Sequence, residues 1–189
     1  QSLCQCHLRC DLPRPEVEAY TIASTGDPYV SWKRITGARK YLVYRRSADE
    51  SSYTRVASTT STHYTDQNVE LGTKYYYKVK AVHTNTVANS ASSTVVSATA
   101  TLARPTVNIK LKNGNPRLTW EKDPDAVKYY VYRSTSKTGT YERIGSTSSE
   151  KYIDKTAKAG KTYYYKVKAI HEKSAANSSY SSVDSIKAK

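Results

Sequence analysis

The sequence of 189 residues contains no Phe and no Met, and its three Cys all lie within the first ten residues. Because the rest of the chain has no Cys, we expect its folded parts to form without internal disulfide bonds. No run of about 18 apolar residues occurs, which excludes a membrane-spanning helix. Helical periodicity is also absent, so a helical fold is not expected. The aromatic content is instead 18 Tyr and 2 Trp.

The three cysteines, Cys4, Cys6 and Cys10, lie close to His7 and offer soft ligands of the kind that zinc prefers. Their spacing lacks the Cys-x2-Cys pair of common zinc sites, so we expect neither a metal nor a cofactor. We interpret residues 1–12 as a flexible N-terminal tail. A leader remnant, a vector-derived tail and a reactive exposed segment remain alternatives for the role of these cysteines.

A segment of seven residues, Tyr-Tyr-Tyr-Lys-Val-Lys-Ala, occurs at 75–81 and again at 163–169. The same offset of 88 residues relates other pairs along the chain: Gly26 and Gly114, Trp32 and Trp120, Tyr53 and Tyr141, Gly72 and Gly160, His83 and His171. A constant offset means that no loop carries a net insertion, which predicts two copies of one module. We place the first module at residues 13–102 and the second at 103–189.

Alternation of apolar and polar residues in short segments predicts an all-β fold for both modules. In the second module Val107, Ile109 and Leu111 alternate, and the Asn113-Gly114 pair then predicts a tight hairpin turn, because both residue types tolerate positive φ. The first module repeats this pattern less clearly around Gly26. The segments at 41–44 and 129–132 are predicted to be the third strands.

The triple-Tyr segment predicts the sixth strand of each module. In the first module alternation assigns its residues to two faces, Tyr75, Tyr77, Val79 and Ala81 on one and Tyr76, Lys78 and Lys80 on the other. The lysines mark the face that meets water. Each module ends in a Ser/Thr/Ala-rich strand carrying Val95 or Val183, which we expect at the edge of a sheet.

Four motifs together resemble fibronectin type III domains over residues 13–187. They are Trp on the second strand (Trp32, Trp120), Tyr-x-Val-Tyr-Arg on the third (41–45, 129–133), Tyr-x-Asp (64–66, 152–154) and Gly-x-x-Tyr-x-Tyr-x-Val-x-Ala on the sixth (72–81, 160–169). The resemblance implies two tandem seven-stranded immunoglobulin-like β-sandwiches with both Trp buried. It also implies a tyrosine corner at Tyr75 and Tyr163, where the hydroxyl meets nearby backbone.

No group of residues forms a convincing catalytic constellation, so we expect a protein that is not an enzyme. His83 and His171 recur, but a lone His at the end of a strand is more often structural. The acidic pairs Asp49-Glu50 and Asp123-x-Asp125 do not recur in the other module, and we interpret them as solvated turn residues.

The charge distribution indicates a candidate binding surface. Residues 104–189 carry 18 Lys and Arg against 8 Asp and Glu, a net charge of +10, whereas residues 1–103 carry 12 against 8, a net charge of +4. Alternation predicts a face on which tyrosines and lysines are interleaved, comprising Tyr130, Tyr132, Tyr164, Lys166 and Lys168 in the second module and Tyr44, Tyr76, Lys78 and Lys80 in the first. The simpler interpretation is a solvated sheet surface, because Tyr favours strands and Lys keeps sheets soluble.

Three functions remain open. The composition resembles repeats of secreted or wall-attached proteins of Gram-positive bacteria, which implies tandem interaction or spacer modules, located outside the cell or at its surface, within a larger protein. A second hypothesis is an adhesin-like module that recognises a host protein, a glycan or an anionic wall polymer through the Tyr/Lys face. The third is an accessory region of a polysaccharide-degrading enzyme. Nucleic acid is not favoured, because no motif accompanies the charge.

Overall fold

The structure is a computed structural model that describes residues 11–85 and 88–189. The first seven strands are β1 (Val17–Thr21), β2 (Pro28–Trp32), β3 (Lys40–Ser47), β4 (Thr54–Thr59), β5 (His63–Thr65), β6 (Lys74–Val82) and β7 (Val96–Thr99). The second seven are β8 (Asn108–Lys112), β9 (Asn115–Thr119), β10 (Lys128–Ser134), β11 (Glu142–Thr147), β12 (Lys151–Ile153), β13 (Thr162–Ile170) and β14 (Asp184–Lys187). A 3₁₀ turn lies at Ser174–Ala176. Cys4, Cys6 and Cys10 lie outside the described residues.

Each set of seven strands forms two sheets. The first set has a three-stranded sheet of order β1-β2-β5 and a four-stranded sheet of order β4-β3-β6-β7. The second set repeats this arrangement as β8-β9-β12 and β11-β10-β13-β14. Neighbouring strands pair antiparallel, as in β3 with β6 and β10 with β13. The prediction of an all-β fold with two seven-stranded sandwiches is therefore confirmed.

The chain divides into two compact units. One comprises the described part of Gln1–Tyr20 with Pro28–Asn68 and Lys74–Ala98, and the other comprises Thr21–Asp27, Val69–Thr73 and Thr99–Lys189. The module limits at 13–102 and 103–189 follow the sequence repeat and remain predictions. Leu12, assigned by sequence to the tail, is buried, and its N–H donates to the carbonyl of Ala88 at 2.9 Å.

The turn between β8 and β9 has the geometry that its residues predict. Asn113 and Gly114 have φ values of 50° and 78°, the left-handed region that a two-residue hairpin turn needs at both positions. The register pairs Lys112 with Asn115 directly across this turn. The local sequence therefore sets the pairing of these two strands.

The sixth strand of each module, β6 or β13, supplies alternate side chains to the core. On β6 these are Tyr75, Tyr77, Val79 and Ala81, and all four are buried. On β13 the corresponding side chains are Tyr163, Tyr165, Val167 and Ala169, which lie in one apolar cluster. The intervening residues are half-buried apart from the exposed first residue of each strand, so the predicted division into two faces is confirmed.

Both Trp are buried beside a Tyr of the third strand. Trp32 and Tyr41 have ring centroids 5.3 Å apart, and Trp120 and Tyr129 have centroids 5.1 Å apart. The hydroxyl of Tyr129 accepts a hydrogen bond from the N–H of Asp123 at 2.7 Å, and Tyr41 accepts the equivalent bond at 2.8 Å. Backbone donors thus satisfy the polar end of a buried ring, and Tyr fills a core in which Phe is absent.

Serine side chains stabilise one side of β6 and of β13. The hydroxyls of Ser90 and Ser93 accept bonds from the N–H groups of Ala81 and Val79 at 2.8 and 2.9 Å. Ser178 and Ser181 repeat both contacts on β13, each at 2.9 Å. All four serines are buried, which explains the Ser-rich segments that precede the last strands.

The last strand of each module lies at a sheet edge, as the sequence predicts. The assignment of Val95 and Val183 to these strands is wrong by one residue, because β7 begins at Val96 and β14 begins at Asp184. Val95 has an exposed fraction of 48%. Because the side chain of Val95 remains largely exposed, its burial contributes little free energy that would favour extending β7 to this residue.

Candidate functional site

The buried ionisable groups are the first candidates for a catalytic site. In the second module the carboxylate of Asp154, which follows β12, is 1% exposed. It accepts hydrogen bonds from Arg133 at 2.7 Å, from the hydroxyl of Tyr165 at 2.8 Å and from the hydroxyl of Thr156 at 2.7 Å. Arg133 and Tyr165 lie on β10 and β13, so this network joins the two sheets of the sandwich.

The protonation states fit a structural role for this network. Burial alone would raise the pKa of Asp154, but hydrogen bonds from Thr156, Arg133 and Tyr165 outweigh it and lower the pKa. Burial raises the pKa of Tyr165, and the hydrogen bond to Asp154 raises it further. The hydroxyl therefore remains a donor to a carboxylate that is closed to water.

The first module contains an equivalent network. Asp66 is 0% exposed and accepts bonds from Arg45 and from the hydroxyl of Tyr77, each at 2.9 Å. The Tyr-x-Asp and Tyr-x-Val-Tyr-Arg motifs signal both networks in the sequence, although sequence alone did not reveal that Arg and Asp form a pair. A carboxylate enclosed in the same way in both modules has its oxygens occupied by donors of the fold itself and is not placed to react with a substrate.

The two recurring histidines lie at turns. The Nδ1 atoms of His83 and His171 accept bonds from the N–H groups of Asn85 and Lys173, both at 3.0 Å. The backbone N–H of His171 donates to the side chain of Asn177 at 2.8 Å. These bonds fix the chain where it leaves the sixth strand, in agreement with a structural role for both histidines.

The acidic pairs also lie in turns. Asp123 accepts a bond from the N–H of Asp125 at 3.0 Å, which closes a local turn. Glu50 accepts a bond from the N–H of Ser47, and this bond lowers its pKa. Within 11–85 and 88–189 no cluster of three or more His, Cys, Asp or Glu is placed to hold a metal ion.

The residues of the predicted binding face lie on the solvent-facing sides of the two four-stranded sheets. We call the solvent-facing side of β4-β3-β6-β7 the first face and that of β11-β10-β13-β14 the second face. On the first face Tyr44 pairs in register with Lys78, and Tyr76 and Lys80 lie on the same strand as Lys78. All four are half-buried. Whether this face binds a ligand remains a prediction.

The second face carries the other five predicted residues. The register pairs Tyr132 with Lys166 and Tyr130 with Lys168, and Tyr164 lies two residues before Lys166. All five side chains are half-buried. The sequence therefore predicts correctly that these side chains share one surface.

Two tyrosines on this surface were missing from the predicted set. The ammonium group of Lys166 lies 4.0 Å from the ring centroid of Tyr180 and 4.3 Å from that of Tyr141. Tyr180 also meets Tyr132 edge to face, with centroids 5.2 Å apart. Burial and a hydrogen bond with Tyr180 raise the pKa of Tyr132.

The repeat contains a signal for only one of these two tyrosines. Tyr141 corresponds to Tyr53 of the first module, whose ring lies 4.1 Å from the ammonium group of Lys78. Tyr180 corresponds to Ser92 and lies outside the strands, so neither the repeat nor alternation predicts its position. The second face is consequently richer in aromatic side chains than the first.

No protein-family model matches the chain. Over 75 residues it is 39% identical to an amylopullulanase of Thermoanaerobacterium saccharolyticum, a match that covers 38% of this chain and 6% of that enzyme. An amylopullulanase of Thermoanaerobacter thermohydrosulfuricus is 37% identical over 73 residues, or 5% of its length. The chain thus corresponds to a small part of these relatives.

Solved structures give two further similarities. The chicken interferon gamma receptor alpha chain has the same fold, with a TM-score of 0.60 over 94% of this chain and 97% of the receptor chain, at 11% identity. A fibronectin type III-like protein from Clostridium thermocellum is 34% identical, over 48% of this chain and 92% of that chain, with a TM-score of 0.41. The identity and the nearly complete coverage of that protein establish a common family.

No helix among the described residues is long and apolar enough to cross a membrane.

Proposed function

The chain belongs to the fibronectin type III family, and we propose that it is a non-catalytic accessory segment of a larger extracellular bacterial protein that acts on polysaccharide. The observation that carries this proposal is the match to amylopullulanase, which reaches 39% identity but involves 6% of that enzyme. A match confined to so small a share of the enzyme is expected of an accessory module. The role we propose for this module is to space or to bind.

The chemistry of the described residues supports a non-catalytic role. The buried carboxylates Asp66 and Asp154 are enclosed in hydrogen-bonded networks. The Nδ1 atoms of His83 and His171 accept backbone bonds. Catalysis requires an acid, base or nucleophile within reach of a substrate, and these groups are used to hold the fold instead.

The extracellular location is proposed from the size of the substrate. A polysaccharide chain does not cross a cell membrane, so a protein that degrades it works outside the cell.

A domain exchange tests the proposal. The 75-residue segment of the Thermoanaerobacterium saccharolyticum amylopullulanase would be replaced with the matching segment of this chain, and a second variant would lack the segment altogether. We expect the exchanged enzyme to keep its kcat on soluble pullulan and the deleted enzyme to lose thermal stability or activity on long polymers. Loss of kcat in the exchanged enzyme, with its fold intact, would contradict a non-catalytic role.

A hydrolysis assay provides the complementary test. The purified 189-residue chain would be incubated with pullulan and with amylopectin, and the reducing ends would be measured. We expect no release above that of a heat-denatured sample. Steady release of reducing ends that survives repurification would show that the chain itself is an enzyme.

A further inference from the structure

We propose that the second face binds an acidic polysaccharide, with Lys166 and Lys168 pairing with its carboxylates and Tyr180 contacting its sugar rings. The choice of a polysaccharide rests on the proposed function, whereas the requirement for negative charge rests on the face itself. Three features support the assignment: the sign of the charges, the position of the rings and the spacing of the lysines.

The second face carries cations and no carboxylate at its outward register positions. Its cations are Lys128, Arg143, Lys166, Lys168 and Lys187. The two acidic residues of these four strands, Glu142 and Asp184, pair with Arg133 and Tyr165 and so point to the opposite side of the sheet. Complementary charge therefore selects an anion, and the net charge of +10 over residues 104–189 attracts it from a distance.

Aromatic rings lie directly beside these cations. Tyr180 is 40% exposed, and its ring centroid lies 4.0 Å from the ammonium group of Lys166 and 5.4 Å from that of Lys168. On the opposite edge, Arg143 lies 4.6 Å from the ring centroid of Tyr130. A ligand that reaches the cations consequently also meets exposed ring surface, which suits a sugar with both apolar faces and acidic substituents.

The spacing of the lysines favours a polymer over a small anion. Lys166 and Lys168 are two residues apart on one strand, which separates their Cα atoms by about 7 Å. A small anion contacts one or two such cations, whereas a chain of repeated acidic units pairs with several at once. Binding of the second unit then occurs at high effective concentration.

Binding of polygalacturonate, a polysaccharide with one carboxylate on each sugar, tests the proposal in the full chain. Pullulan serves as the neutral polysaccharide, and duplex DNA serves as a polyanion of another class. We expect polygalacturonate to bind with a Kd that increases at least about tenfold between roughly 50 and 300 mM NaCl, because exposed charges are screened by salt. We expect no binding of pullulan.

Two pairs of substitutions with the same change in charge locate the site. Lys166→Gln with Lys168→Gln removes two cations from the second face. Lys110→Gln with Lys112→Gln removes two exposed cations at the same spacing from β8, in the three-stranded sheet of the same module. We expect the first pair to raise the Kd about tenfold and the second pair to raise it less than about twofold.

The ring contribution is tested by Tyr180→Ala, which we expect to weaken binding several-fold, mainly through faster dissociation. Unchanged thermal unfolding of each variant shows that the fold is intact. Equal losses for the two lysine pairs, an unchanged Kd for Tyr180→Ala, or tighter binding of DNA than of polygalacturonate would each overturn the proposal. Because the hydrolysis and exchange assays use neutral polysaccharides, failure of the acidic-polysaccharide proposal would leave the accessory role standing.

Discussion

Each module encloses one aspartate, Asp66 or Asp154, whose carboxylate is closed to water. An isolated buried charge is costly, but each carboxylate faces the guanidinium group of Arg45 or Arg133 and a tyrosine hydroxyl. Replacing such an ion pair with apolar residues is often neutral, whereas removing one partner leaves the other charge unpaired. The network therefore makes each of its members difficult to replace alone.

Replacing Asp154 with Asn should destabilise the second module by about 3 kcal/mol at neutral pH, because Arg133 would lose its partner. The free energy of unfolding would be measured by urea denaturation in a parent chain with Trp32→Phe, so that Trp120 alone reports. Asp125→Asn, at an exposed position, is the control and should change stability by less than about 0.5 kcal/mol. Similar effects of both substitutions would contradict the role assigned to the network.

The difference in stability between the parent chain and its Asp154→Asn variant should depend on pH in one direction. The pKa of Asp154 is lowered in the folded chain, so its stabilising contribution is present above the unfolded pKa, which is about 3.9. That contribution is lost as the pH falls through the folded value. Measurements from about pH 7 to about pH 2.5 should show the two unfolding free energies converging at acid pH, and a constant difference would exclude this linkage.

The hydroxyl of Tyr163 confirms the predicted tyrosine corner in the second module. It accepts a hydrogen bond from the N–H of Lys158 at 3.1 Å, and its ring is 5% exposed. Tyr163→Phe removes this acceptor and keeps the ring, so the loss should be about 1 kcal/mol, as for one hydrogen bond. Tyr164→Phe on the solvent-facing side is the control. An unchanged urea midpoint for Tyr163→Phe would show that the corner adds no stability.

At the scale of strands, alternation in the sequence was sufficient to predict which side chains of β6 and β13 enter the core. The period of two leaves no other arrangement when one face is buried, because a shift of one residue would bury the lysines. The bulge between Val131 and Tyr132 was not predictable in this way. It places Arg143 opposite Tyr132, and the same shift recurs between Val43 and Tyr44 of the first module.

The residues of the second face could be predicted from the sequence only where they lie on strands. Tyr130, Tyr132, Lys166 and Lys168 are on strands, so their shared face follows from the pattern. Tyr180 comes from an irregular segment, and its contact with Lys166 depends on the course of that segment. Local pattern predicts strands well, whereas tertiary contacts of loop residues require the folded structure.

The turn that enters β13 depends on Gly160. This residue has a φ of +80°, and a Cβ at this position would meet no atom within 4 Å. The cost of Gly160→Ala should therefore come from the backbone alone, about 1 kcal/mol, whereas Gly160→Asn should cost less because Asn tolerates this conformation. Urea denaturation in the Trp32→Phe parent chain, followed by Trp120 fluorescence, measures both. An equal cost for Ala and Asn would point to another cause, such as a changed unfolded state.

The molecule as a whole repeats one architecture while its charge differs along the chain. The sheets, the buried Trp and Tyr pairs and the aspartate networks all recur. The net charge does not, since residues 104–189 carry +10 and residues 1–103 carry +4. Core residues are constrained by packing in both modules, whereas the same fold accommodates a larger excess of cations in residues 104–189.

This difference in charge predicts different responses to salt. Like charges repel more strongly in the compact state than in the unfolded chain, and the range of the repulsion falls from about 30 Å at 0.01 M to about 10 Å at 0.1 M salt. Raising NaCl from about 0.01 to about 0.2 M should therefore stabilise the second module by up to about 1 kcal/mol and the first module by less. Chains with Trp32→Phe or Trp120→Phe report the two modules separately. Chloride is preferred to sulfate, which stabilises proteins by exclusion from their surface. An equal response of both modules, or a larger one in the first, would contradict this prediction. It would mean that the excess lysines of residues 104–189 do not destabilise the folded state by repulsion, so that their charge is available for a ligand at no cost to stability.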